Sequence, residues 1–420
     1  MKLIDRPRYL DALRRQLHTP DVKVLVGVRR AGKSCVLGMF ADSIKATGVP
    51  QRNLFYKRLD AFDVPLDYDA EQLHRDLAHA MAQADPAEWF YVFLDEIQAI
   101  NGWEQVVRRL HTRERTDVYI TGSNAKVLSG ELATYLTGRY WELPVYPLSF
   151  REYRAFSAAH NDEDRQRAVR EVRGEADATL ASYLRFGGMP GLFSLNDVDE
   201  LSVGQELQAI FESILFRDVA SRMEVRNLPA LERVGRFLLA TCGNLFSLNS
   251  VVNTLRSSGI RLDPKTVEAF IGGMRESFLV CEAQQSGVQG RQILRPQRKY
   301  YPIDLGFKSL VSGFGTVDMG ARLETAAYLE LRRRGYEVAV GAMPGGEIDF
   351  VARRPGEQLY VQVTQSMLDE KTRERELAPL RRLTDAFPRL VLTADPLTTG
   401  VTEEGIHIRN VEEWLLADGA

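Results

Sequence analysis

Gly27-Val28-Arg29-Arg30-Ala31-Gly32-Lys33-Ser34 is the stretch on which the reading of this chain turns. It follows the apolar run Val22 to Val28 and precedes a helix-like segment, so it sits between a strand and a helix. Two glycines, then Lys and Ser at this spacing, are the pattern of a phosphate-binding loop. Glycines let backbone amides wrap phosphate, Lys33 reaches the terminal phosphates, and the Ser34 hydroxyl coordinates magnesium. The helix that starts there adds the positive end of its dipole. Gly27, Arg29, Arg30, Ala31, Gly32, Lys33, Ser34 and Cys35 are therefore the expected contacts of ATP or ADP, with Mg2+ as the accompanying ion. The competing reading, a Gly-rich turn without a ligand, is disfavoured by the strand and helix on either side.

Downstream, Trp89-Phe90-Tyr91-Val92-Phe93-Leu94-Asp95-Glu96 is an unbroken apolar run ending in two carboxylates, as a buried parallel strand opening on a ligand crevice requires. Asp95 is expected to hold magnesium, directly or through water, and Glu96 to act as general base on the attacking water. A third strand, Val118 to Thr121, runs into Gly122-Ser123-Asn124, which puts Asn124 in place to orient water or sense the terminal phosphate. An ordinary turn or cap asparagine is the alternative. Arg139, ahead of the apolar run Trp141 to Val145, is a candidate finger on a phosphate of its own subunit or of a neighbour's; a surface ion pair competes with that reading.

The 420 residues exceed what one hydrophobic core usually holds and indicate two to four domains. A hydrophobic content of 45% with 26% charged residues is that of a globular protein, and a net charge of -3 supplies no global attraction to nucleic acid or membrane. Any polyanion site must be local. Cys35, Cys242 and Cys281 are odd in number and unpaired in spacing, which excludes a disulfide framework and a zinc site, and the histidines are dispersed. The expected compartment is the cytoplasm, without membrane insertion, because the start carries charge and Pro7 where a signal peptide needs an apolar region.

These residues resemble the bacterial and archaeal AAA-type ATPases that carry a nuclease-like domain at the carboxyl end. The resemblance runs over nearly the whole chain. It rests on Gly27 to Ser34, Phe93 to Gln98, Thr121 to Asn124, Leu136 through Tyr153, Phe186-Gly187-Gly188-Met189-Pro190, Ile214 through Asp218, and Lys299 through Gly306. It implies Lys33 and Ser34 on phosphate and magnesium, Asp95 and Glu96 as the acidic pair, Asn124 as sensor and Arg139 as candidate finger. Ile4-Asp5-Arg6, leading into the helix-like Tyr9 to Leu17, is similar to the segment flanking adenine in this group.

Asp164 to Leu192 and Glu200 to Met223 read as a helical lid, with Arg217 a candidate to reach the nucleotide. From Leu231 to Ile303, short helices followed by strands suggest a winged helix-turn-helix, in which Asp263 caps a helix with Pro264 at its first position. Arg291, Arg295, Arg298 and Lys299 give its wing local positive charge. The last segment resembles the restriction-endonuclease-like fold. Glu324 and Asp349 match two of its metal positions, but the third reads Gln362-Val363-Thr364, which lacks the expected acid and lysine, so nuclease activity is not expected. The run Lys371 to Glu376 reads as a solvated helix face.

The expectation is thus an α/β protein of four parts: an AAA-type parallel-sheet P-loop core over 1–160, a helical lid over 161–230, a winged helix over 231–304, and a degenerate restriction-endonuclease-like domain over 305–420. Its expected function is Mg-dependent ATP hydrolysis coupled to DNA binding or remodelling. The alternative is an ATP switch acting through a protein partner, and self-association is left open.

Overall fold

The computed structural model describes residues 4–123, 138–160, 179–195, 199–288, 297–315, 318–343 and 346–417. Its contacts divide the chain into a first unit, Met1–Tyr146 with Glu276–Phe278, and a second, Pro147–Arg275 with Leu279–Ala420. The expected core over 1–160 runs past the end of the first unit at Tyr146, and the three expected parts after it cut the second unit more finely than these contacts do.

The first unit contains α1 (Pro7–Arg15), β1 (Val22–Val26), α2 (Lys33–Ala46), β2 (Leu54–Arg58), α3 (Ala70–Gln83), β3 (Phe90–Asp95), α4 (Trp103–His111), β4 (Thr116–Gly122) and β5 (Tyr140–Pro144). Its strands form one sheet in the order β2-β3-β4-β1-β5, and every pairing is parallel. Every residue of β1 and β3 is buried, which is why both read as continuous apolar runs rather than alternating ones. Val92, Leu94, Val107, Val118 and Ile120 share one core cluster with Leu73 and Leu77 of α3. Lys23 is the exception within β1. Its buried ammonium is bonded to Asp117 and to the Thr19 carbonyl at 2.8 Å, so this interior charge is paired.

In the second unit, helices Phe150–His160, Leu180–Phe186 and Glu200–Ser213 come first, the last continuing as a π-helical stretch Ile214–Ala220 that carries the exposed Arg217. Helices Leu228–Ala240, Leu248–Ser257 and Pro264–Glu276 follow. Lys265 N–H bonds to the Asp263 carboxylate at 2.8 Å, the start expected from Asp-Pro. An antiparallel hairpin of β6 (Val280–Gly287) and β7 (Arg298–Pro302) comes next, with Leu245 bridging to Lys299. Helices Leu305–Ser312 and Met319–Arg333 lead to β8 (Glu337–Met343), β9 (Gly346–Arg354), β10 (Glu357–Thr364), helix Glu370–Arg381, β11 (Arg389–Thr393), β12 (Gly400–Val401), β13 (His407–Asn410) and helix Val411–Leu416. β6 also pairs in parallel with β8, which makes the hairpin part of an eight-stranded sheet, β12-β13-β11-β10-β9-β8-β6-β7. No helix among the described residues is long and apolar enough to cross a membrane.

Four sequence stretches far apart in the chain meet in this unit. Asp304 accepts the Gly188 N–H at 2.7 Å and the Gly306 N–H at 2.9 Å, while Leu148 N–H bonds to the Gly188 carbonyl at 2.7 Å. Arg333 donates to the carbonyls of Pro147 and Leu148 at 3.2 and 3.3 Å. Burial pushes the Asp304 carboxyl up from 3.8 to about 6, against the pull of the two backbone N–H groups. The folded protein therefore holds this proton more tightly than the unfolded chain does. The associated stability is complete below pH 4 and is lost as pH rises to about 6, a change of about 3 kcal/mol for a shift of this size. Denaturant midpoints measured from pH 4 to pH 7 should fall more steeply in the wild type than in Asp304→Asn, which keeps only the contribution of other raised carboxyls such as Asp349.

Two features of the second unit depart from the sequence reading. Arg298 and Lys299 do not furnish free wing charge: Arg298 pairs with Glu268 at 2.7 Å, and Lys299 is buried against Glu324 and Glu347. Ion pairing within the domain has consumed both. Arg291 and Arg295 lie outside the described residues. Glu376, read as part of a solvated face, is buried and receives bonds from Gln362 and Arg375.

Candidate nucleotide site

The loop between β1 and α2 has the backbone that its glycines allow. Gly27 (φ 147°) and Gly32 (φ 95°) lie at positive φ, and so does Arg30 (φ 64°). A Cβ at Gly27 would fall 2.2 Å from the Val145 carbonyl oxygen, so this first glycine is required by close approach as well as by φ. Gly32 stands at the cap of α2, with Lys33 and Ser34 in its first turn, and the helix dipole is directed at the loop. Lys33 is buried, with its ammonium 3.0 Å from the Gly27 carbonyl and 3.1 Å from that of Val28. Cys35 is exposed as a residue, but its thiol is partly desolvated and lies near the Asp95 carboxylate, and both raise its pKa, so it is no thiolate nucleophile.

Because β4 lies between β1 and β3, its carboxyl end emerges between the loop and the acidic pair. There the Ser34 hydroxyl donates to Asp95 Oδ1 at 3.0 Å, and the Thr121 hydroxyl donates to the same oxygen at 2.6 Å. Thr121 Oγ1 also accepts the Glu96 N–H at 2.9 Å. Glu96 occupies the left-handed region (φ 53°, ψ 51°), a conformation that a glutamate adopts at a cost. Gln98 bonds to the Glu96 carboxylate and, at 3.3 Å, to Ser123 Oγ.

Asp95 Oδ2 is buried and has no hydrogen-bond partner among the described residues. A buried carboxylate oxygen without a donor is costly unless a cation satisfies it. The donor set of Ser34 Oγ and Asp95, all hard oxygen, fits a magnesium ion accompanying a nucleotide. Thr121 was legible in sequence only as a strand residue; its hydroxyl proves to orient both acidic residues. Thr121→Val is expected to lower ATP turnover by roughly 10- to 100-fold, the worth of one to two buried hydrogen bonds, with little change in nucleotide affinity. Steady-state turnover alongside equilibrium ATP binding would separate the two effects.

Arg6 was legible only as part of a flanking segment. Its buried guanidinium donates to the Ala31 carbonyl of the loop at 3.0 Å and to the Tyr146 carbonyl at 2.9 Å, and it lies over the Tyr9 ring. Asn124 lies outside the described residues. Arg139 is exposed immediately before β5, where Tyr140 pairs with Val22, while the phosphate loop follows Val26 at the other end of β1. Five to six residues of extended strand separate them, roughly 15–20 Å. A finger acting on the nucleotide of its own chain is therefore corrected by geometry, and only a neighbour's nucleotide is left within the reading.

The second expected site lies in the other unit. Glu324 accepts the Tyr301 hydroxyl at 2.6 Å and the Lys299 ammonium at 3.2 Å, both on Oε1. Lys299 also pairs with Glu347 at 2.8 Å. Asp349 accepts the Val363 N–H at 2.8 Å, and burial with Glu324 nearby raises its carboxyl well above the usual range. Gln362 turns its amide nitrogen to Glu376 at 2.8 Å. Burial alone would lower the Lys299 ammonium, but Glu324 and Glu347 carry it above its ordinary value. Glu324 and Asp349 are thus brought together, with a lysine from β7 beside them that sequence spacing did not indicate.

A sequence profile described as "AAA domain" matches residues 19–154, and one described as a domain of unknown function (DUF8612) matches residues 177–318. The chain is 34% identical over 415 residues to an uncharacterised protein of Haemophilus influenzae, covering 99% of both chains. It is 27% identical over 361 residues to an uncharacterised protein of Methanocaldococcus jannaschii, covering 85% of this chain and 77% of that one. Among solved structures it is similar to a Walker-type ATPase of Pyrococcus abyssi, with a TM-score of 0.46 and 15% identity over 73% of this chain and 95% of that one. With a phosphate loop, an acidic strand and an all-parallel sheet in the segment that the profile matches, residues 19–154 are an AAA-type P-loop ATPase domain, and the chain as a whole belongs to one family with its Haemophilus influenzae relative.

Proposed function

We propose that the first unit hydrolyses ATP with magnesium and that the nucleotide state governs what the second unit holds. The observation that carries the reading is the unpartnered, buried Asp95 Oδ2 beside the Ser34 hydroxyl at the mouth of the phosphate loop. Magnesium bound there would neutralise charge on the terminal phosphates. Lys33 would exchange its two loop carbonyls for phosphate oxygens, Glu96 would take the proton of the attacking water, and Thr121 and Gln98 would keep the acidic pair in register. Asn124 is assigned the sensor role, and Arg139 that of a finger toward a neighbouring subunit.

Within the second unit we read the helices Leu228–Ala240, Leu248–Ser257 and Pro264–Glu276 with the β6–β7 hairpin as a winged helix. The helix Met319–Arg333 with β8 to β11 and the intervening helix Glu370–Arg381 is read as a restriction-endonuclease-like domain. The proposed partner is DNA, gripped through its backbone. The exposed Arg256, Arg261 and Lys265 support this, whereas the exposed Ala269 of the same helix offers no base-reading group. The second reading, a protein partner, is favoured by the internal pairing of Arg298 and Lys299.

Salt separates the two. Contact with a few phosphates should give duplex or branched DNA an affinity that falls about 10- to 100-fold between 50 and 200 mM salt. Arg256→Ala with Lys265→Ala should flatten that slope. If no DNA binds at low salt or stimulates ATP turnover, the DNA reading is to be abandoned for the protein switch.

A further inference from the structure

We propose that the Lys299 ammonium stands where the nuclease-like fold would hold a divalent cation, so that this site is closed to metal and works as a built-in cationic clamp. The proposal rests on the nuclease-like reading for its meaning, but its geometry is independent of it. Glu324 comes from the helix Met319–Arg333, Glu347 and Asp349 from β9, and Lys299 from β7 of the hairpin. Glu347 and Asp349 are two apart on one strand and so share a face.

A divalent ion such as magnesium needs near-octahedral oxygen ligands at about 2.0–2.1 Å. The oxygens that face the ammonium are already engaged. Glu324 Oε1 takes a phenol hydrogen bond and the ammonium, and Glu347 Oε1 takes the ammonium as well. Asp349 Oδ2 takes a backbone N–H. The side chain at the third position, Gln362, spends its amide on Glu376 and, at 3.3 Å, on the Asp349 N–H. Among the described residues, no group of three or more His, Cys, Asp or Glu side chains could hold a metal ion. Lys299 is 3% exposed, so its charge cannot swing away to water as a surface lysine's would.

The residues present therefore do not fit the metal that the fold implies. They fit a fixed monovalent cation with three hydrogen-bond donors. The clamp has a mechanical consequence. Lys299 pairs across the sheet with Ala283 and bridges to Leu245, so the ammonium ties the hairpin to the helix and strand that carry Glu324 and Glu347.

The test uses Mn2+ as probe on the full, nucleotide-free chain, counting bound ions by electron paramagnetic resonance and following thermal unfolding. Wild type and Asp349→Asn should bind the same number of ions. Lys299→Met should melt roughly 5–10 °C lower, because buried carboxylates lose their counter-charge. It should then gain a Mn2+ site that restores at least half of that loss, and Asp349→Asn in the Lys299→Met background should abolish the gain. A wild type that binds one ion more than Asp349→Asn overturns the proposal, and so does a folded Lys299→Met that gains no ion. Where Lys299→Met does not fold, the comparison of wild type with Asp349→Asn still decides. Absence of DNA binding in the salt titration would remove the DNA reading and leave these ion counts unaffected.

Discussion

Glu96→Gln is expected to lower ATP turnover by about 100- to 10,000-fold, the usual worth of a general base, while ATP binds within a few-fold of wild type. The amide is isosteric and cannot accept the water's proton. The backbone that aims this side chain is held from outside the residue: Glu96 sits at φ 53° with its N–H on Thr121 Oγ1, and Gln98 bonds to its carboxylate. A left-handed glutamate persists only where its surroundings impose it, and such strain clusters at functional positions. Since the substitution leaves that backbone and Asp95 in place, binding and turnover should separate. Unchanged turnover in a variant that binds ATP would show that another group takes the proton.

Gly187→Ala is expected to destabilise the second unit by about 3 kcal/mol or more, the sum of a Gly-only backbone conformation and a steric conflict with a buried carboxylate. Gly187 has φ 80° and ψ -169°, and a Cβ there would stand 1.9 Å from Asp304 Oδ1. Asp304 cannot yield, because it caps the helix Leu305–Ser312 and holds Gly188. Gly313 offers the comparison, with φ 81°, ψ 163° and open space around the Cβ position. Gly313→Ala should therefore show the backbone cost alone, about 1–3 kcal/mol. Equal denaturant midpoints for the two variants would remove the role assigned to the Asp304 junction.

The first unit was largely legible because parallel strands buried on both faces leave unbroken apolar runs, and those runs ended at glycine or at carboxylates. The positions of Lys33, Ser34, Asp95 and Glu96 at or beyond the ends of β1 and β3 were legible in that way. β2 was missed, since at the sheet edge its residues are only partly buried and Lys57 and Arg58 interrupt the pattern. Thr121 and Arg6 carried no signal of their own, because their roles depend on partners 26 and 25 residues distant. In the second unit the helix of Glu324 and strands β8 to β10 followed from period and turn residues. The parallel pairing of β6 with β8 and the placing of Lys299 did not, because long-range strand pairing leaves no local mark. Burial likewise reversed the reading of Glu376, whose neighbours in sequence are charged but whose side chain faces inward to Gln362.

Phosphate release from ATP by the purified full chain in magnesium, measured beside Lys33→Ala, tests the central claim most directly. The wild type should release phosphate in a manner that a chelator abolishes, and Lys33→Ala should fall to background because the terminal phosphates lose their cation. Equal rates for the two proteins, or release that persists without magnesium, would contradict the assignment of Gly27 to Ser34 and Asp95 as the site of hydrolysis.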